Sequence, residues 1–441
     1  MAVLSRWRGA ASIAPCVITV LGCAAWSMPA RAQTLSGGKF LGSEIPWDAD
    51  RGRNIGVLDR SRAGYAALGI HAGGFTIFPR ITLGVAYTDN VYGERHGKNG
   101  DFYFSALPSV TATSNWSRHA LRADVGGDFK RFTKESPRNE DGFHAETSGR
   151  LDIGDNAINA RARIERSYQE QYAGDFPVNA KEAVQYTLKT AELRGTLQGV
   201  RFRLIGSTDV NRLTYRNVRA LDGSVIDEKS LDRNIYRSSG RVEYAVSPDT
   251  AVFVQLSHIT TRYDRANAVG GFDNRDSEEN RALAGATFDI SRLVRGRIGL
   301  GYTKRKFDSP QYKSVSGLSA DISAQYFLTQ LTTITANLNR AIGDSAQQGS
   351  GGYLQTAGSL RVDHELLRNL LLNVNGSYGR NAFRGVLRTD RTVQFGGGAN
   401  YLANRRISIG LTSNYLSRRS TGTGGTSYDE LRLTGSVTLQ M

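Results

Sequence analysis

Eleven arginines occupy the polar positions of stretches in which apolar and polar residues alternate: Arg80, Arg122, Arg150, Arg161, Arg163, Arg201, Arg203, Arg241, Arg281, Arg297 and Arg361. If these stretches are strands, parity turns all eleven side chains to one side. Asp124, Asp128, Asp152, Glu165, Asp209, Glu243, Asp289 and Asp363 share that side. Opposite charges facing each other across strands stiffen a wall, and such pairing accounts for roughly two thirds of the arginines. The surplus of guanidinium would leave a positive potential that favours anions in a pore. Guanidinium planes also hold carboxylates bidentately, as an acidic polysaccharide requires. The eleven are therefore pore-lining candidates.

Other chemistry finds little support. The six histidines, His71, His96, His119, His144, His258 and His364, are scattered, with no HExxH pair to ligate a metal. No GxSxG elbow occurs, and Gly376-Ser377-Tyr378-Gly379 lies inside a strand-like stretch. The glycines at 396–398 and 422–425 lack the lysine of a phosphate loop. Neither an enzyme nor a cofactor or metal is expected. The formal charge of +15 raises nucleic acid as a partner. Arginines spread over many separate strands, behind an export signal, argue against it.

The elements that must carry these residues have a period of two. Ile81, Leu83, Val85 and Tyr87 alternate with Thr82, Gly84, Ala86 and Thr88, and the pattern persists to Leu431, Leu433, Val437, Leu439 and Met441. Short connectors (114–117, 154–156, 247–249, 367–369 and 403–405) alternate with longer ones (89–100, 172–183, 217–230, 264–277, 342–352 and 418–427). The reading is all-β: a transmembrane up-and-down antiparallel barrel of about 18 strands, with short periplasmic turns and longer outer loops. The stretch 184–198 also suits an amphipathic helix, which leaves sixteen strands as the alternative. A soluble sandwich would alternate too. Against it stand aromatics near strand ends, with Tyr87, Phe102, Phe129, Phe143, Tyr168, Tyr378 and Tyr415 suited to interfacial girdles. Charge of both signs on the polar face suits a wet lumen, and the final strand (428–441) can pair with the first and leave no edge. Tyr428 is expected near the outer girdle.

Residues 1–32 read as a signal peptide: Arg6 and Arg8, the apolar stretch 14–26, then Ala30-x-Ala32 with cleavage before Gln33. A lipoprotein reading at Cys23 is disfavoured by Leu21. Cleavage removes both cysteines, Cys16 and Cys23, and lowers the formal charge to +12. Residues 33–73 carry no sustained period and read as an irregular periplasmic lead or a small plug, with the barrel over 74–441. The expected location is the outer membrane of a Gram-negative bacterium. Expected partners are outer-membrane lipid, the barrel-assembly machinery that reads terminal strands, and anionic polysaccharide or small anions.

Three stretches carry a family likeness: Tyr65 to Arg80 with its glycine-phenylalanine entry, Tyr87-TDNVY-Gly93, and Ser114-NWSRHAL-Arg122. In this order they resemble the putative β-barrel porin 2 family of Proteobacterial outer membranes, from about residue 60 onward. The resemblance implies an outer-membrane barrel and transfers no catalytic residue. Some members of that family lie in exopolysaccharide gene clusters. The functional readings are thus a pore taking part in exopolysaccharide export or assembly, a diffusion porin for small anionic solutes, or a structural barrel with a filled lumen.

Overall fold

Strict alternation without internal charge runs leaves each segment one solution: an extended strand with one face in lipid and one in the lumen. The computed structural model describes residues 45, 46, 50, 52, 54–174, 176, 177, 179–265, 273–291 and 293–441. The signal peptide expected over 1–32 lies outside them, as does much of 33–73.

Eighteen long strands run β1 (Phe75–Thr88), β2 (Asp101–Ser114), β3 (Ala120–Phe132), β4 (Glu140–Ile153), β5 (Asn156–Tyr168) and β6 (Gln185–Gln198). They continue with β7 (Phe202–Tyr215), β8 (Arg233–Ser247), β9 (Thr250–Tyr263), β10 (Ser277–Ile290), β11 (Val294–Phe307) and β12 (Val315–Thr329). The last are β13 (Thr332–Asp344), β14 (Gly352–Leu367), β15 (Leu370–Phe383), β16 (Arg388–Leu402), β17 (Ile407–Gly422) and β18 (Tyr428–Gln440). Each pairs antiparallel with its neighbours in sequence. The cylinder closes where β18 meets β1, in register from Arg80↔Gln440 to Thr88↔Arg432. The stretch that also suited a helix is β6.

The two faces separate by exposure. Leu83, Val85, Phe104, Val254, Leu300, Val374, Leu411 and Leu439 stand exposed on the outer face, where lipid covers them. Phe102, Phe129, Phe143, Tyr378 and Tyr415 are exposed on it too, and Tyr87 packs on Phe102 at 4.9 Å between centroids. Side chains of the opposite parity reach across to strands that are not their neighbours, which identifies the lumen. Tyr428 departs from the expected girdle. It is buried in the lumen against Tyr172 and Leu416, because its parity within β18 is that of Glu430 and Arg432.

One stretch of wall breaks the regular ladder. Pairing of β12 with β13 ends at Ala320↔Arg340, whereas β12 pairs with β11 as far as Val315↔Arg305. Above that point the β13–β14 hairpin leans into the barrel. Ile342 and Leu354, on its outward face, pack against Val315, with Phe307 alongside. Gly317 makes this approach possible: a Cβ there would sit 2.9 Å from Leu354 Cδ2.

Candidate functional site

The lumen is the candidate site, and its lining differs from one side to the other. On β3–β6 it is ionic. His144 Nε2 lies 2.8 Å from Asp124 Oδ1, and Thr111 also donates to Asp124. Arg163 bridges Glu146 and Glu165, at 2.8 Å from each. Arg161 approaches Glu192 at 3.2 Å, and Arg150 Nε donates to Asp152 at 2.6 Å.

Beyond β2 and β1 in the closed wall, the middle of β15–β18 carries no ionisable side chain on its inward face. Its inward positions are amides, hydroxyls and glycines: Asn373, Asn375, Ser377, Gln394, Asn400, Thr412, Asn414, Thr434 and Ser436. Glycine keeps this surface low. A Cβ at Gly396 would meet Asn414 Oδ1 at 2.4 Å and Asn375 at 3.1 Å, so the two amides converge over bare backbone. Asn373 Nδ2 likewise donates to the Gly398 carbonyl at 3.4 Å.

Both ends of the lumen are occupied by chain. At the periplasmic end, Arg241 is fully buried and donates from Nη2 to the Ile45 carbonyl at 2.9 Å and to Gln255 at 2.7 Å. Arg295 pairs with Asp50. Val57 N donates to Thr333 Oγ1 at 3.0 Å. Arg62 Nη2 donates to Glu365 Oε2 at 2.6 Å and to the Val57 carbonyl at 2.9 Å. Burial raises the Asp59 carboxyl above its ordinary range, with Arg295 opposing that shift and Asp50 and Asp363 adding to it.

At the outer end the loop between β5 and β6 crosses the barrel. Arg418 Nη1 donates to the Gln171 carbonyl at 2.8 Å, and its Nη2 holds Asp390 at 2.9 Å. Arg388 pairs with the same carboxylate at 2.8 Å. Arg138 Nη2 donates to the Ala180 carbonyl at 2.8 Å. Gly174 lets the loop lie on the buried Tyr353 ring, since a Cβ would come within 2.8 Å of it. Beside this loop the β13–β14 tip docks through Asp344, which Arg233 meets at 3.0 Å and Arg305 also holds. Arg305 binds Glu279 as well, at 2.8 Å. An apolar cluster of Val184, Leu188, Leu213, Leu231 and Ile235, with Phe176 and Ala346 against it, joins loop and tip to the wall. A polar cavity of 60 Å³ remains beside the loop, lined by Tyr103, Lys130, Glu140, Glu170, Glu430 and Arg432 among others.

Ten of the eleven arginines singled out in the sequence lie in strands with inward parity. Arg201 instead sits in the turn before β7, where Nη1 reaches the Tyr244 hydroxyl at 3.4 Å. Arg122, Arg203, Arg297 and Arg361 pair with Asp124, Glu243, Asp321 and Asp363. Arg281 Nε donates to Ser319 Oγ at 2.7 Å, and Arg80 lies half-buried on β1. Among the candidates that make ion pairs, side-chain exposure is greatest for Arg150 at 44% and Arg161 at 43%, followed by Arg122 at 35%, and Arg201 in its turn is exposed as well. The eleven do not form one ring. Sequence reading omitted Arg233, Arg305, Arg388 and Arg418, although strand parity was signal enough for the first two. Arg418 was hidden because 418–427 reads as a loop, whereas β17 runs to Gly422. The asparagines of β15 and β17 were missed because uncharged residues give no charge signal.

No curated protein sequence matches the chain. Among solved structures it is similar to Pseudomonas aeruginosa OccK2 (OpdF), at 12% identity over 83% of this chain and 98% of that one, TM-score 0.46. It is similar to Pseudomonas aeruginosa OpdL at 14% identity, over 84% and 100% of the two chains, TM-score 0.44. A BenF-like porin from Pseudomonas fluorescens Pf-5 is 12% identical over 82% and 98%, TM-score 0.44. The family model described as "Putative beta-barrel porin 2" matches residues 62–441. An eighteen-stranded closed wall with apolar outer and polar inner faces agrees with that match, and the chain belongs to this family of outer-membrane β-barrels.

Proposed function

We propose that this barrel is a conduit for a polysaccharide and takes part in exopolysaccharide export or assembly. The observation that carries the reading is the uncharged strip on β15–β18, set apart from the ionic wall of β3–β6 by β1 and β2. Amides offer both donors and acceptors to sugar hydroxyls, while bare glycine backbone gives rings a low surface to slide along. A strip without fixed charge binds weakly at many equivalent places, which transport of a polymer needs. Arg150 and Arg161, the most exposed of the ion-paired candidates, can meet carboxylates on an acidic chain. Residues 54–66, with Ile45 and Asp50, act in this reading as a periplasmic plug that withdraws when polymer arrives.

Deleting the gene is expected to leave polymer in the periplasm, and restoring it with Asn375→Asp and Asn414→Asp together is expected to recover little export. Normal secretion in the deletion strain would remove the reading. The second reading, a diffusion pore for small anions, is favoured by the same exposed arginines and needs no polymer. Anion-selective conductance from purified protein together with unaffected secretion would select it.

A further inference from the structure

The lipid face carries an arrangement that neither the lumen nor the closure of the barrel explains. On β15, β16 and β17, Arg380, Arg391 and Arg419 stand directly opposite one another in register, and all three are exposed. Directly opposed side chains in an antiparallel pair lie about 5 Å apart at Cβ, and like charges so placed repel. Arg419 has a carboxylate, Asp429, at 2.9 Å. Arg380 and Arg391 have no ion pair among the described residues. Several other outward arginines near the outer rim are neutralised within the protein: Arg131 by Asp141, Arg212 by Asp264, Arg262 by Glu278 and Asp308, while Arg166, without an ion pair among the described residues, stands over the Phe143 ring. The sector at β15–β17 is therefore short of negative charge.

Its position says what kind of anion it meets. The row lies near the loop ends of these strands, which finish or begin at Phe383, Arg388 and Gly422. That is the level of the outer headgroups. Towards the membrane centre come Tyr378, Phe395 and Tyr415, all exposed to lipid. Below them is an apolar groove of 670 Å³, floored by Gly397, Ala399, Ser413 and Gly435 and edged by Tyr87 and Phe102. From Arg391 to Gly397 the strand advances about 20 Å at its usual rise per residue, the reach of a fatty acyl chain. Guanidinium groups grip phosphate bidentately and are favoured for it over lysine.

We propose that this sector binds a phosphorylated glycolipid of the outer leaflet, its phosphates on the Arg380–Arg391–Arg419 row and one acyl chain in the groove. Occupancy removes the like-charge repulsion and fills a furrow that would otherwise break the smooth apolar belt.

The test uses full-length protein in detergent, titrated with bis-phosphorylated lipid A and, separately, with its fully dephosphorylated form, and read by native mass spectrometry. Bis-phosphorylated lipid is expected to remain bound, with affinity at least about tenfold above the dephosphorylated form, an electrostatic difference. Arg380→Ser with Arg391→Ser should abolish that preference. Gly397→Leu should weaken retention of both forms while keeping the preference. A control pair on another sector, Lys304→Ser with Lys306→Ser, should change nothing. Heat-modifiable migration on gels confirms that each variant is assembled. Equal binding of the two lipids, an unchanged preference in the double arginine variant, or barrel-to-barrel association through the groove in place of lipid would overturn the proposal.

Discussion

At the scale of the residue, exposure separates the arginines that hold the wall from those that can meet a solute. Arg241 is fully buried and its donors end on Gln255, Glu243 and backbone carbonyls, so its charge is spent inside the protein. Arg150 and Arg161 are paired but wet, and a wet pair exchanges partners at little cost. Charge reversal at both, Arg150→Glu with Arg161→Glu, is expected to shift the permeability ratio towards cations by roughly severalfold, because rings of side-chain charge set ion preference. Reversal potentials in a salt gradient across a planar bilayer measure it. The same change at Arg241 is expected to lower stability instead, by about 3–5 kcal/mol, the usual cost of breaking a buried pair. A chemical-denaturation series in detergent reads that loss.

At the scale of the element, the inserted segments are held by apolar packing and by a small number of ion pairs that single substitutions can remove. Asp390 receives both Arg388 and Arg418, and Arg418 in turn holds the β5–β6 loop at Gln171. Arg418→Ala is expected to release that loop and raise conductance, with faster proteolysis near residues 171–174 as an independent sign. The periplasmic segment rests on Glu365, which meets Arg62 and Arg60, so Glu365→Gln should increase hydrogen exchange over 54–66. Asp59 adds a pH dependence. Its docked pKa is raised by burial, so docking is fully supported below the ordinary carboxylate pKa and loses that support as pH rises through the raised value. Protection of 54–66 is thus expected to be greater at mildly acid pH, and Asp59→Asn should flatten the dependence. On the tip, Gly317→Val would press on Leu354 and push the β13–β14 hairpin further into the lumen, which smaller single-channel currents would report.

At the scale of the whole molecule, the cylinder was legible because its cause is local. Period-two alternation, short and long connectors in turn, and an even number of strands are all present in the sequence of Phe75–Thr88 and each segment after it. Even β6, where Leu188, Leu193 and Leu197 could equally line a helix, is resolved once its neighbours require a partner. The contents of the lumen were not legible. Whether Tyr428 faces a girdle or a loop depends on where Tyr172 goes, and that is a contact across 256 positions of chain set by tertiary packing alone. The uncharged strip has the same origin, since Asn375 and Asn414 converge only after β15, β16 and β17 are in register. Truncation before Tyr428 leaves β1 and β17 without their shared neighbour. Such a chain is expected to yield no heat-modifiable species and no insertion into vesicles.

The early end of the β12–β13 ladder has a mechanical meaning. Below Ala320↔Arg340 the hairpin is clamped on both edges, whereas above it β13 has lost β12 and only β14 keeps a neighbour, paired with β15 as far as Tyr353↔Phe383. It is a beam held along one edge by β15 and latched on the other by Asp344 between Arg233 and Arg305. A latch of ion pairs is either seated or not, so such a beam has two resting positions and no stable intermediate. Current through the barrel should accordingly step between two discrete levels, and Asp344→Asn should lengthen the dwell in the higher one.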